Sequence, residues 1–212
     1  MSDAAELPGL AAALAAAAPR AVQSVWLPVL TAALTACEAT APHRIAAFLG
    51  QCSVEAGQGF GEISESLYYT HASRLVLVFP SHFPNEDVAA PYCASPERLA
   101  NLVYAGKLGN GDAASGDGWR FRGGGLLQIT GRENYAAYGV ARGIAAEVAA
   151  DYVRTPAGAA DSAAWYWQTH NLNPLADAWA LSAITLRING PAMLDNAARI
   201  SASNAALKAM GA

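Results

Sequence analysis

Apolar residues recur along this chain at three- and four-residue intervals, the spacing that gives a helix one buried face. Val22, Val25, Trp26, Val29 and Leu30 form such a stripe, which predicts a helix from about Ala21 to Glu38. Ahead of it, Leu10 to Ala18 reads as a short helix that Pro19 breaks. Thr40-Ala41-Pro42 opens a third helix, since proline is tolerated in a first turn where its missing N–H costs nothing. That helix carries Ile45, Phe48, Leu49 and Cys52 on one face and ends at Gly57 and Gly59. A loop through Tyr69 leads to a short helix from Ala72 to Phe79, closed by Pro80 and Pro84. Ser95-Pro96-Glu97 starts another, running to about Tyr104: serine can cap, proline takes the first turn and the acid meets the positive helix end.

From Gly106 to Gly125 the pattern changes, with eight glycines in twenty residues, a density that argues against helix. Leu126 to Thr130 is the segment best suited to extended structure. Helical spacing then returns at about Arg132–Tyr138, Ala145–Arg154, Pro156–His170, Pro174–Ile188 and Leu194–Met210. The expected fold is mainly α, with one glycine-rich extended segment or small β element. No repeat or linker divides the chain, so one domain over residues 1–212 is expected, with its core at about 20–205.

Composition and charge refine this picture. The 53% apolar content is inflated by alanine, which predicts small, closely packed helices. No run of about 18 strongly apolar residues is present, so no membrane span is expected. The apolar opening is preceded by Asp3 and Glu6 and by no Lys or Arg, the wrong sign for a secretory leader. The protein is therefore expected to be made in the cytoplasm without a clear signal peptide. Cys37, Cys52 and Cys93 have no metal-ligand spacing; Cys37 and Cys52 sit among apolar residues and read as small buried fillers, not as a disulfide framework. A net charge of −4 gives no reason to expect nucleic acid, and no long-range attraction toward an anionic wall.

The residue that carries chemistry is Glu55. It follows Cys52 by three positions and Phe48 by seven, so it shares their apolar stripe. Burial disfavours a charged carboxylate, and an acid that keeps its proton is what a glycosidic leaving group requires. The same position suits a structural glutamate paired with Arg199 or Arg187. Glycoside hydrolysis also needs a second carboxylate, and Ala56-Gly57-Gln58-Gly59 lets the chain turn so that Glu62 or Glu65 can fold back. Either retention or inversion is open on these residues alone.

A set of ordered fragments narrows the choice. Ala47-Phe48-Leu49-Gly50-Gln51, Glu55-Ala56-Gly57 and Glu65-Ser66-Leu67-Tyr68-Tyr69 are followed by Ala100-Asn101-Leu102-Val103-Tyr104 and Gly109-Asn110-Gly111. Then come Ser115-Gly116-Asp117-Gly118-Trp119-Arg120-Phe121-Arg122-Gly123, Leu127-Gln128-Ile129-Thr130-Gly131-Arg132, Asn134-Tyr135, Ile188-Asn189-Gly190 and Arg199-Ile200. Together they resemble glycoside hydrolase family 19, and within it the short phage endolysin branch. The resemblance implies a lysozyme-like helical fold and an inverting mechanism without cofactor or metal. It places Glu55 as general acid, Glu65 as general base and Thr130 on the attacking water. It likewise implies that Gln128, Asn134 and Asn189 bind substrate and that Arg199 organises the carboxylates.

Two positions depart from the family pattern: Val54 stands where a histidine is common, and Gly124 where an arginine is common. Both changes remove polar support beside the acid. His43, His71, His82 and His170 are scattered, so a zinc site is not expected, and no G-x-S-x-G elbow or phosphate loop is present. Trp119 is a candidate for stacking on sugar, whereas Trp165, Trp167 and Trp179 read as core. Three functions stay open: a muralytic enzyme cutting peptidoglycan strands in the cell wall, a chitinase, and a weakened glycan-binding protein. Short length and the lack of an appended chitin-binding module favour the first, acting as a monomer.

Overall fold

The computed structural model describes residues 7–212; Asp3 and Glu6 lie outside the described residues. In chain order the helices are α1 (Leu10–Ala17), α2 (Gln23–Ala36), α3 (Pro42–Glu55), α4 (Ala72–Val78), α5 (Glu86–Ala89), α6 (Pro96–Val103) and α7 (Asp117–Arg120). They continue as α8 (Arg132–Arg142), α9 (Ala146–Tyr152), α10 (Pro156–Thr169), α11 (Asn173–Asp177), α12 (Leu181–Asn189) and α13 (Asn196–Ala209). The mainly α architecture read from the periodicity is therefore present, and none of these helices is long and apolar enough to cross a membrane.

Two compact units emerge, interleaved in sequence, which explains why no linker marks them. The first holds the residues up to Ile63, then Gly125–Gln128 and Tyr152–Ala212; the second holds Ser64–Gly124 and Ile129–Asp151.

In the first unit, Ile45, Phe48, Leu49 and Cys52 of α3 are fully buried, as their spacing requires. Phe48 meets Trp167 of α10 with ring centroids 5.3 Å apart, and Trp26 of α2 meets Phe60 edge-on at 5.0 Å. Gly50 sets the approach of α3 to α13. A Cβ there would collide with the Ser203 hydroxyl and come within 2.9 Å of the Arg199 carbonyl. The small residue thus brings Arg199 against the last turns of α3. Helix α10 starts as its sequence suggests, with Thr155 Oγ1 accepting from Gly158 N at 3.1 Å and Pro156 in the first turn.

The stretch Pro174–Ile188 is not one helix. It breaks at Trp179, whose φ of 51° ends α11, and Ala180 N donates to Leu175 O at 2.8 Å across the turn. Glycine is usual in such a left-handed stop. Here tryptophan takes it and its ring lies edge-on to His43 at 5.0 Å, so packing outweighs local preference.

The second unit is built around Leu67, Leu75, Phe83, Leu99, Ala100 and Val103. Ser95 precedes α6, but its hydroxyl donates to Cys93 O at 3.2 Å and does not cap the helix. The glycine-rich stretch holds more structure than its composition suggests. Its one-turn helix α7 lies against α6, where a Cβ on Gly118 would overlap the Ala100 carbonyl and Trp119 N donates to Asn101 Oδ1 at 2.7 Å. Asp117 organises this stretch: it accepts from Gly111 N at 2.9 Å and pairs with Arg132 through both oxygens at 2.7 and 2.9 Å. The Arg132 hydrogen bonds hold its carboxyl below the ordinary value.

The expected extended run Leu126–Thr130 is corrected. Residues 125–128 form a turn, with Gln128 at φ 50°, and only Ile129 joins an isolated antiparallel bridge, to Gly124. Gly124 is bridged on its other side to Ser64. The β content among the described residues is these two bridges.

Candidate active site

Glu55 closes α3, and its carboxylate is 17% exposed. Arg199, buried at 2%, donates from Nη2 to Glu55 Oε1 at 2.5 Å. The same guanidinium donates to Gln51 Oε1 at 3.0 Å and, through Nε, to Leu194 O at 3.1 Å. Gln51 precedes Glu55 by four residues, so one arginine ties together two consecutive turns of α3. Gln51 in turn donates to Thr185 Oγ1 at 3.2 Å on α12. Of the two arginines the sequence offered as partners, Arg199 is the one bound; Arg187 is exposed. Among the described residues, nothing donates to Glu55 Oε2. Tyr166, whose hydroxyl donates to Arg187 O at 2.9 Å, is pushed above its ordinary pKa by burial and then by the negative charge of Glu55.

Two of the proposed substrate amides belong to this first unit. Gln128 donates from Nε2 to Glu62 O at 2.7 Å and Gly125 O at 2.9 Å, which holds the turn closed. Asn189 Oδ1 accepts from Leu194 N at 2.6 Å, and its NH₂ has no partner among the described residues. Glu62 is exposed, with no donor to its carboxylate among the described residues.

In the second unit Glu65 is half-buried and firmly held. The Tyr104 hydroxyl is shared between its oxygens at 2.9 and 3.0 Å, and Gly123 N donates to Oε2 at 3.0 Å. Its own N–H donates to Gly123 O at 2.9 Å. Burial and then the nearby Glu65 charge keep the Tyr104 phenol protonated well above the usual tyrosine range, so it stays a donor. Tyr69 is raised by the same two causes. Thr130 is half-buried, and its carbonyl accepts from Asn134 Nδ2 at 2.7 Å, leaving Asn134 Oδ1 exposed and without a partner among the described residues.

The structure thus joins Glu55 with Arg199, and Thr130 with Asn134, while each of the three amides spends one group on a neighbouring backbone. No group of three or more His, Cys, Asp or Glu able to hold a metal is found among the described residues.

No protein-family model matches the chain. A Haemophilus influenzae protein described as containing a glycosyl hydrolase family 19 domain is 42% identical over 147 residues, spanning 68% of this chain and 70% of that protein. The chain belongs to glycoside hydrolase family 19. The fold agrees with that of two solved structures. A bacterial family 19 chitinase is 22% identical with a TM-score of 0.58, covering 94% of this chain and 93% of that one. Chitinase C from Streptomyces griseus HUT6037 is 19% identical with a TM-score of 0.59, covering 98% and 78%.

Within this family 19 glycosidase, Arg122, two positions before Gly124, is an arginine that the sequence fragments did not single out and that holds the backbone beside Glu65. Arg122 donates from Nε to Glu65 O at 3.0 Å, from Nη2 to Ser64 Oγ at 2.9 Å and from Nη1 to Trp119 O at 2.7 Å. Its guanidinium lies 3.5 Å from the centre of the Trp119 ring, so one face of that ring is covered by a cation instead of being open to sugar. Tyr104 was equally unassigned, although it sits one position past an amphipathic helix, four residues beyond buried Ala100. Val54 is half-buried.

Proposed function

We propose that this family 19 glycosidase hydrolyses the β-1,4 linkages of peptidoglycan strands with inversion. Glu55 is the general acid, Glu65 the general base and Thr130 the hydroxyl that helps hold the attacking water. The observation that carries this reading is the contrast between the two carboxylates. Glu55 has one oxygen anchored by Arg199 and the other without a donor, so Oε2 is placed to give a proton to the glycosidic oxygen. Glu65 is held by a phenol and a backbone N–H, a fixed acceptor suited to taking a proton from water. Glu62 lacks any such support, which favours Glu65 as base.

In an inverting displacement the base activates water on the face of the sugar opposite the leaving group, while the acid protonates the departing oxygen. Asn134 Oδ1 and Asn189 NH₂ offer an acceptor and a donor for the hydroxyl and N-acetyl groups of an amino sugar. On this reading the protein is made in the cytoplasm and acts on the cell wall. Chitin is the second reading, supported by the two chitinases that share the fold.

The test is product analysis. Purified protein is incubated with peptidoglycan strands and with chitin oligomers, and early products are followed by proton NMR. New reducing ends from peptidoglycan are expected to appear first as the α-anomer. A β-anomer as first product rules out inversion; reducing ends from chitin alone favour the second reading; binding without cleavage of either polymer sinks the mechanism.

A further inference from the structure

The second unit contains a cleft of about 550 Å³ on which the proposed reaction makes no demand. Its size lies within the ~300–1,000 Å³ of small-ligand sites. Val78 and Phe79 from the end of α4, Val103 from the end of α6 and Leu108 beyond it give it an apolar lining. His82 and Lys107 supply the polar side.

Two features tie the cleft to the glycan. The first is Tyr104, whose residue lines the cleft while its hydroxyl holds both oxygens of Glu65. Whatever fills the cleft therefore lies one side chain away from the proposed base. The second is charge. Lys107 Nζ is fixed by donating to Val103 O at 2.7 Å, at the negative end of α6, and stands 3.5 Å from His82 Nε2. No carboxylate pairs with this ammonium among the described residues. Burial and then the neighbouring Lys107 hold His82 below its ordinary pKa, so the cleft carries its positive charge on Lys107.

A chain with a net charge of −4 gains nothing at long range from anionic substrates, so a local cation beside an apolar bed has to be read locally. Chitin is uncharged and offers it nothing. Peptidoglycan strands differ in carrying short peptides rich in carboxylates and small alkyl side chains. We propose that this cleft is a subsite for that peptide: Lys107 takes a peptide carboxylate, and Val78, Phe79 and Val103 take the alkyl groups beside it. The proposal rests on peptidoglycan being the substrate, and it makes Lys107 a specificity residue for that reaction.

The test compares wild type, Lys107→Met and Lys107→Arg on two substrates: intact peptidoglycan strands, and strands stripped of peptide by an amidase. For Lys107→Met the ratio of kcat/KM on intact strands to that on stripped strands is expected to fall about tenfold, the worth of one charge-assisted contact. Lys107→Arg is expected to retain most of the ratio. If Lys107 only caps α6, the ratio stays constant in folded Lys107→Met, and the proposal fails. Should that variant not fold, saturation-transfer NMR of wild type with the free stem tetrapeptide decides. Saturable binding weakened by added salt supports the subsite, and no binding overturns it. Cleavage of chitin oligomers but of neither strand by wild type removes the peptidoglycan reading, and the subsite with it, independently of Lys107.

Discussion

Glu55→Gln is expected to lower kcat on glycan strands by ~10²–10⁴-fold, the range that a positioned acid or base contributes. The substitution isolates proton donation, because a glutamine carbonyl oxygen can still accept the hydrogen bond from Arg199 Nη2. The fold should therefore survive, and circular dichroism should match wild type. A substrate with a nitrophenol leaving group departs without protonation, so it should restore much of the lost rate in Glu55→Gln. Glu65→Gln is expected to suffer a loss of similar size with the opposite rescue. Azide, which attacks without a base, should help Glu65→Gln and leave Glu55→Gln unchanged. A Glu55→Gln variant within threefold of wild-type kcat would remove Glu55 from the reaction and return it to a purely structural role.

The largest effect on stability should come from Arg199→Met. Methionine fills part of the space but leaves Gln51 Oε1 and Glu55 Oε1 without their donor, and Gln51 is fully buried. Removing one partner of a buried ion pair costs about 3–5 kcal/mol. Glu55 keeps some contact with solvent, so a loss near the lower end is expected, read as a Tm lower by roughly 6–12 °C in thermal unfolding. Arg199→Met combined with Glu55→Gln should recover part of that loss, since no carboxylate is then stranded. Equal losses in the single and double variants would show that Arg199 acts through packing and Gln51, not through Glu55.

The course of α3 could be read from residue order because several local rules agree there. Proline opens the helix, glycines close it, and the apolar stripe lies on one face; Glu55 followed from that stripe, which left both Arg187 and Arg199 open as its partner. The family fragments supplied Glu65, which has no local periodicity to mark it. What could not be read were features decided by the partner a group meets in the folded chain. Trp179 takes a left-handed turn for the sake of His43, against its own preference. Asp117 gathers Arg132 and Gly111 and so stabilises a helical turn inside a glycine-rich stretch. Ser95 looks like a cap but spends its hydroxyl on Cys93. Gln128, with its extended-looking neighbours, closes a turn because its amide reaches back to Glu62. The competing partner lies anywhere from two positions away, for Ser95, to 136, for Trp179, and nothing in the residue itself announces it.

The cysteines carry a different consequence. Cys37 and Cys52 are buried in the first unit, and burial pushes the Cys37 thiol up to about 11 and holds the Cys52 thiol well above its ordinary value. A thiol reagent needs both access and the thiolate, and each of these sites denies it both until the helices around them part. Cys93, in the second unit, is only half-buried. The protein therefore carries its own reporters of opening, already divided between the two units. The denaturant at which Cys37 and Cys52 become alkylated records the opening of the first unit, and the denaturant at which Cys93 rises above its native alkylation rate records that of the second, with no probe added to the chain.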